Sequence, residues 1–253
     1  FIRKKNIKFV LTIHGEDARY LQYLPFRFVV KRFTKVYVVG SYWTSFLLKK
    51  GFNVEEIPNF SPIEKEIKDN LQNSKTHRND LPSKQLCVVA SDKSHKNLKI
   101  FKEMPKEFFE HLKLSKLSLN IVGVSKNYFL KIMEVEDIPD GIILSGRQSR
   151  LNTLSIINKS DLLLIPSFTE GNPKVVWESV ELKTFPIISN TLNFLGYNHE
   201  QYPFKFNPDN ADNFWKIIKE AILKKDKLKL DNYFKISSYN SVRQEYNKIY
   251  TKN

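Results

Sequence analysis

After residue 84 the chain alternates strand-length apolar runs with longer segments that interleave polar and apolar positions. The runs are QLCVVA (85–90), LSLNIVG (117–123), GIILSG (141–146), DLLLIP (161–166) and FPIIS (185–189). Several are apolar on both faces, as parallel strands covered by helices are. Segments 97–114 and 149–158 read as helices between them, so the order is βαβα and predicts a doubly wound, Rossmann-like sheet. Phe214, Ile217, Ile218, Ala221 and Ile222 fall on one helical face, with Asp209 or Asn210 available as a cap.

The first part of the chain carries the same pattern in shorter form. IKFVLTIHG (7–15) and KVYVVGS (35–41) read as strands, 17–33 and 42–50 as helices, and IPNFSP as a turn. Two strands make a poor free-standing domain, so residues 1–62 are expected to be the C-terminal part of a first Rossmann-like domain only partly present. Residues 63–84 are polar and charged and read as a linker, 85–235 as the second Rossmann-like domain, and 236–253 as a C-terminal helix.

Composition narrows the functional classes. The chain has 253 residues, 41% of them apolar, enough for a sizeable core, and it begins at Phe1 without an initiator Met, which fits a truncated N-terminus. No run of apolar residues is long enough for a membrane span. A single Cys, Cys87, rules out an intrachain disulfide or a multi-cysteine metal site and reads as a core residue in a reducing compartment. G-x-S-x-G, Walker, G-x-G-x-x-G and H-E-x-x-H patterns are absent, which removes support for triad hydrolase, P-loop, dinucleotide dehydrogenase and zincin readings. The net charge of +14 favours an anionic partner: nucleic acid, an anionic membrane face or a phosphorylated ligand. The Lys and Arg residues read as scattered along the chain.

The candidate chemistry lies in PSFTEGNPKVVWES (166–179). DLLLIP is a strand, Ser167 to Gly171 the loop at its carboxyl end, and Asn172 and Pro173 the expected cap and first position of a helix running through Glu178. Ligands of open α/β sheets bind outside the carboxyl ends of strands, and helix N-termini favour anions. Glu170 would then overlie a pocket, with Glu178 some two turns into the helix, ~8–9 Å of rise beyond its start. That spacing suits the two ends of an extended ligand, a sugar and a ribose joined by a diphosphate, and not one metal ion.

TEGNPKVVWES followed by FPIISN resembles the E-x7-E signature of the family 4 retaining glycosyltransferases, which have the two-domain GT-B fold. SDKSHKNLKIF resembles the family's basic phosphate-binding segment, VLTIHGED its His-bearing strand end, IPNF its linker entry and FKFNPDNADNFWKIIKEAI its late loop and helix, all in the family's order. The resemblance implies that Glu170 contacts hydroxyls of the transferred sugar, that the backbone N–H groups of Gly171 and Asn172 approach the sugar or diphosphate, and that Glu178 binds the ribose. It further implies that Lys96 neutralises the leaving diphosphate, that His14 faces the reacting sugar, and that Arg147 and Gln148 belong to the base-contacting loop. Where the family carries an Arg shortly before the lysine, this chain has Ala90 and Ser91, and Lys93 is the available cation. The family's Gly after the signature helix is replaced by Lys183, Thr184 and Phe185, so that helix has to close differently.

The expected protein is therefore an α/β, GT-B glycosyltransferase. It would move a sugar from a nucleotide sugar to a hydroxyl of a glycan or lipid-linked acceptor, with retention and without a metal or other cofactor. A bacterial polysaccharide, lipopolysaccharide or capsule pathway fits, with the protein in the cytoplasm or peripheral on an anionic inner membrane face and no nucleic acid as partner. The rivals are a basic nucleic-acid-binding module and a nucleotide-sugar-binding fragment without catalysis.

Overall fold

The structure is a computed structural model that describes residues 9–57, 63, 64, 67–71, 84–114, 116–194, 196–235, 244 and 247. It contains two parallel sheets.

The first sheet has the order β1 (Val10–His14), β2 (Lys35–Val39), β3 (Glu55–Ile57). Helix α1 (Leu24–Val30) follows a 3-10 segment, Gly15–Gln22, and α2 (Ser41–Lys49) follows β2. The strand β3 is a correction to the sequence pattern. Glu-Glu-Ile reads as polar, but Tyr37 to Val39 pair with Glu55 to Ile57 in parallel, and only Ile57 of the three is buried. Ile13, Val36, Val38, Trp43, Leu47 and Val54 form the core on one face of this sheet.

The second sheet contains β4 (Lys84–Val89), β5 (Leu117–Val122), β6 (Ile142–Gly146), β7 (Leu162–Ile165), β8 (Phe185–Ser189) and β9 (Lys205–Phe206). Their order is β6-β5-β4-β7-β8-β9, so the chain reverses direction of winding between β4 and β7. All four residues of β7 and all five of β8 are buried, which is why their sequences, Ser189 apart, are apolar throughout and not alternating. Cys87 is fully buried in β4, as its setting predicted.

Among the described residues, helices α3 (Lys106–Lys113), α4 (Lys126–Met133), α5 (Arg150–Lys159), α6 (Lys174–Glu181) and α7 (Ala211–Lys224) cover this sheet. The single helix expected over 97–114 is instead a 3-10 segment, Leu98–Glu103, followed by α3, because Pro105 stands at the break. Helix α4 fills the helical place that the βαβα pattern leaves between β5 and β6; Ser125 caps it by accepting from the Tyr128 N–H, and Phe129 and Met133, one turn apart, bury its inner face. Asn210 caps α7 through the Asn213 N–H at 2.8 Å.

Between the sheets, residues 67–71 are helical, and Ile63 and Leu71 enter the core of the second unit. Asn158 Nδ2 donates to the Leu71 carbonyl at 2.6 Å. The expected C-terminal helix over 236–253 lies outside the described residues, Gln244 and Asn247 excepted.

Candidate functional site

A cleft of about 350 Å³ opens at the carboxyl ends of β4 and β7, where the strand order reverses and where open α/β sheets place their ligands. Ala90, Ser91 and Lys96 line it from the β4 side, and Ser167, Glu170 and Asn172 to Val175 from the β7 side.

Two backbone hydrogen bonds fix the opposing walls. The N–H of Phe168 donates to the His95 carbonyl at 2.8 Å, which ties the β7 loop to the 3-10 turn Ser94–Lys96. Asn97 closes that turn in the left-handed conformation, φ 51°, which Asn tolerates better than most residues. Its buried side chain donates to the Pro208 carbonyl at 2.8 Å. On the far side of the loop, Thr191 Oγ1 donates to the Phe168 carbonyl at 2.7 Å.

These constraints bring Lys96 and Glu170 together. Lys96 Nζ donates to Glu170 Oε1, the same oxygen that accepts from Ser167 Oγ at 2.8 Å. The ion-paired side chains are only 20% and 16% exposed, so water screens them weakly. Ser167, adjacent to Pro166, carried no sequence signal of this role, because its contact depends on the curl of the loop.

Helix α6 starts one residue later than the sequence suggests. Pro173 occupies the N-cap position, and Asn172 does not cap: its Oδ1 accepts from the indole N–H of Trp177 at 2.6 Å inside the protein. A buried indole N–H needs an acceptor, and it takes the one that would otherwise serve the helix. Lys174 and Val175, in the first turn, line the cleft and point its dipole there. The helix closes without glycine: Lys183 takes φ 58°, and the Thr184 N–H returns to the Ser179 carbonyl at 2.8 Å.

Glu178 is buried in the second turn of α6, and Arg150 Nε lies 3.5 Å from its Oε1. Arg150, the first residue of α5, is a candidate that the sequence pattern did not single out; only the packing of α5 beside α6 brings it to Glu178. One turn on, burial pushes the Glu181 carboxyl above its ordinary range, an effect that Lys68 partly opposes.

The remaining candidates are placed as follows. Arg147 is exposed on the loop after β6. Gln148 is committed to that loop, its amide donating to the Ser145 carbonyl and its Oε1 accepting from Asn152 Nδ2 at 3.1 Å. Lys93 is exposed just before the Ser94–Lys96 turn. Its neighbour Asp92 was not anticipated: it accepts from the Ser125 N–H at 3.0 Å and Oγ at 2.6 Å, joining the ends of β4 and β5.

His14 ends β1 in register with Val39, and Gly40 follows Val39. Gly40, φ 109°, packs against Gly171 so closely that a Cβ on it would lie 2.5 Å from the Gly171 oxygen. The first sheet therefore reaches the Glu170–Gly171 loop backbone to backbone. This glycine pair was not anticipated either, since each Gly alone reads as a turn residue.

Comparison with known proteins fits this geometry. No curated protein matches the chain in sequence. Among solved structures, trehalose-6-phosphate synthase superposes with a TM-score of 0.62 at 13% identity, over 87% of this chain and 62% of the other. Anabaena HepE, in complex with UDP and glucose, gives 0.66 at 10% identity, over 96% and 72%. A glycosyltransferase from Rickettsia africae gives 0.63 at 16% identity, over 98% and 71%. The chain thus spans about 62% of the length of the synthase. At these identities the likeness is one of fold, and the fold is GT-B, with two Rossmann-like units. The profile of the family described as "Glycosyl transferases group 1" matches residues 69–240, which include the cleft, and the chain belongs to that family.

Proposed function

We propose that the protein transfers a sugar from a nucleoside-diphosphate sugar to a hydroxyl of a glycan or lipid-linked glycan, with retention at the anomeric carbon. The observation that carries this reading is the pairing of Lys96 with Glu170 beside the start of α6, in a cleft at the strand-order reversal. A diphosphate needs fixed positive charge, and a helix start with an adjacent lysine supplies it. Sugar hydroxyls need acceptors, and Glu170 supplies them. Glu178, deeper on the same helix, would accept from the ribose, with Arg147 and Gln148 at the base end and Lys93 at the rim.

In this reading the bond between the anomeric carbon and the diphosphate oxygen breaks as the acceptor oxygen attacks from the same face. The acceptor proton passes to the departing diphosphate, whose developing charge is met by Lys96 and the N–H groups at the head of α6. Gly171 and Asn172 offer backbone N–H groups to the sugar or diphosphate. His14 would face the sugar from the first sheet, a position that the Gly40–Gly171 contact supports. Retention is favoured by the family resemblance of the E-x7-E segment and by the likeness to trehalose-6-phosphate synthase, an enzyme of glycosyl transfer with retention. No metal is assigned a role. A lipid-linked acceptor in bacterial cell-surface polysaccharide synthesis, met at an anionic inner membrane face, fits the net charge of +14.

Calorimetric titration with UDP, GDP and their common sugar conjugates tests the proposal. One nucleotide should bind saturably, Glu178→Ala should abolish that binding, and Arg150→Ala, at a side chain 55% exposed, should weaken it less. A folded chain that binds none of them would overturn the donor-site reading.

A further inference from the structure

Helix α6 has almost no outer surface. It packs against α5 and β8, and Val176 to Glu181 are all buried, the polar Glu178, Ser179 and Glu181 among them. The two residues that reach solvent are Lys174, exposed, and Val175, half-buried, and both line the cleft. Side chains on a helix lean toward its N-terminus, so a residue in the first turn is carried towards the space before the helix. Lys174 therefore meets water where the cleft opens, and not on a solvated helix face of the kind that Asp212 and Lys216 give α7.

The charges in the cleft do not balance. Of its lining residues, Lys96 and Lys174 are the cations and Glu170 is the carboxylate. Lys96 donates to Glu170, so those two are neutral as a pair. Among the described residues no carboxylate forms an ion pair with Lys174. The net positive charge of the cleft is therefore the ammonium of Lys174.

The two lysines also stand on different walls. Lys96 comes from the β4 side and Lys174 from the β7 side, at the start of α6. No cap occupies that start: Pro173 offers no side-chain hydrogen bond, and the Asn172 side chain is turned inward to Trp177. An anion between the walls would meet an ammonium on each side, with the first-turn N–H groups beside it. Lys96 has to give up Glu170 to reach it, whereas Lys174 has no ion pair to break.

We infer that Lys174 is the second cation of the diphosphate site and the first to meet an incoming ligand. The inference rests on the donor-site reading of the cleft and adds to it a residue and an order of contact. Lys174 takes phosphate oxygens as they enter, and Lys96 follows once sugar hydroxyls replace it at Glu170. No bond is made or broken at Lys174; it holds charge, and the same charge meets the diphosphate as it departs. Cations on both walls select a diphosphate over a monophosphate, which has less charge and a single phosphoryl group to share between them.

The test is calorimetric titration of wild type, Lys174→Gln, Lys174→Arg and Lys216→Gln with UDP, GDP, UMP, GMP and pyrophosphate, with circular dichroism to check each fold. Lys174→Gln should bind the nucleoside diphosphate roughly 10- to 100-fold more weakly, with a much smaller loss for the monophosphate. Lys174→Arg keeps the charge and should bind nearly as wild type does. Lys216→Gln removes an exposed lysine of α7 outside the cleft and should change nothing. Unchanged diphosphate affinity in Lys174→Gln would overturn the inference and leave the donor-site reading standing. Equal loss in Lys216→Gln would overturn it in favour of general charge, and equal loss for monophosphate and diphosphate would overturn the selectivity. Pyrophosphate binding that Lys174→Gln loses, in a wild type that binds none of the nucleotides, would keep the anion site and overturn the donor-site reading. A folded wild type that binds none of the five ligands would overturn both.

Discussion

Lys96 and Glu170 stand 74 positions apart in the chain and share one ion pair at the mouth of the cleft, with Ser167 holding the same carboxylate oxygen. In the proposed function these two groups serve different parts of one ligand, the diphosphate and the sugar. Ligand entry must therefore exchange their pairing: Lys96 turns to phosphate, and Glu170 to hydroxyls.

Substitutions at the pair should act in opposite directions on a ligand that lacks the sugar. Lys96→Ala should weaken binding of the nucleoside diphosphate by roughly 10- to 100-fold, the loss of a charge-assisted contact. Glu170→Gln frees Lys96 and should tighten binding of that diphosphate while weakening the discrimination between it and the nucleotide sugar. Titration calorimetry on the two variants separates the cases. Weaker diphosphate binding in Glu170→Gln would mean that the carboxylate organises the lysine and does not compete for it.

Gly40→Ala should be the most damaging single methyl group in the first unit. Its Cβ would fall within 2.6 Å of the Gly171 backbone, and the φ of 109° disfavours any side chain. Gly51→Ala is the control, since it also has a positive φ, 80°, but nothing within 4 Å. Thermal denaturation and transfer activity should both suffer in Gly40→Ala, with Gly51→Ala costing about 1 kcal/mol of stability alone.

The helix end at Lys183 offers a gain. Its left-handed φ of 58° costs a non-glycine residue about 1 kcal/mol, so Lys183→Gly should raise stability by about that amount in a denaturant titration. The cleft is formed from the other end of α6, so nucleotide affinity should not change.

Glu181 gives the protein a pH response. Its folded-state pKa is raised by burial, so the folded protein binds this proton more tightly than the unfolded chain does. The associated stability is fully present below the unfolded value near 4.5 and is lost as pH rises through the raised folded value. Glu181→Gln should therefore be more stable than wild type at neutral pH, with the advantage shrinking on acidification through that window. Denaturation midpoints measured at both ends of the window check it.

Much of this architecture was legible in the sequence. Short apolar runs such as LLLI and FPII, of strand length and bounded by turn residues, read as strands covered on both faces, and their alternation with helical segments points to a parallel sheet. The pairing of a post-strand turn with Glu170 and Glu178 also followed from spacing along one strand, loop and helix. Those are local features, set by the period of the backbone and by which side chains avoid water.

What the sequence could not decide are relations across the fold. Glu-Glu-Ile becomes a strand because Tyr37 to Val39 offer it a parallel edge. Asn172 gives up its cap because a buried indole lies within reach. Arg150 reaches Glu178 and Gly40 abuts Gly171, because packing brings together residues that no local period relates. Most of the helices and covered strands follow from neighbours in the chain; an edge strand such as β3 and the site itself depend on neighbours in space, and only the tertiary fold selects those.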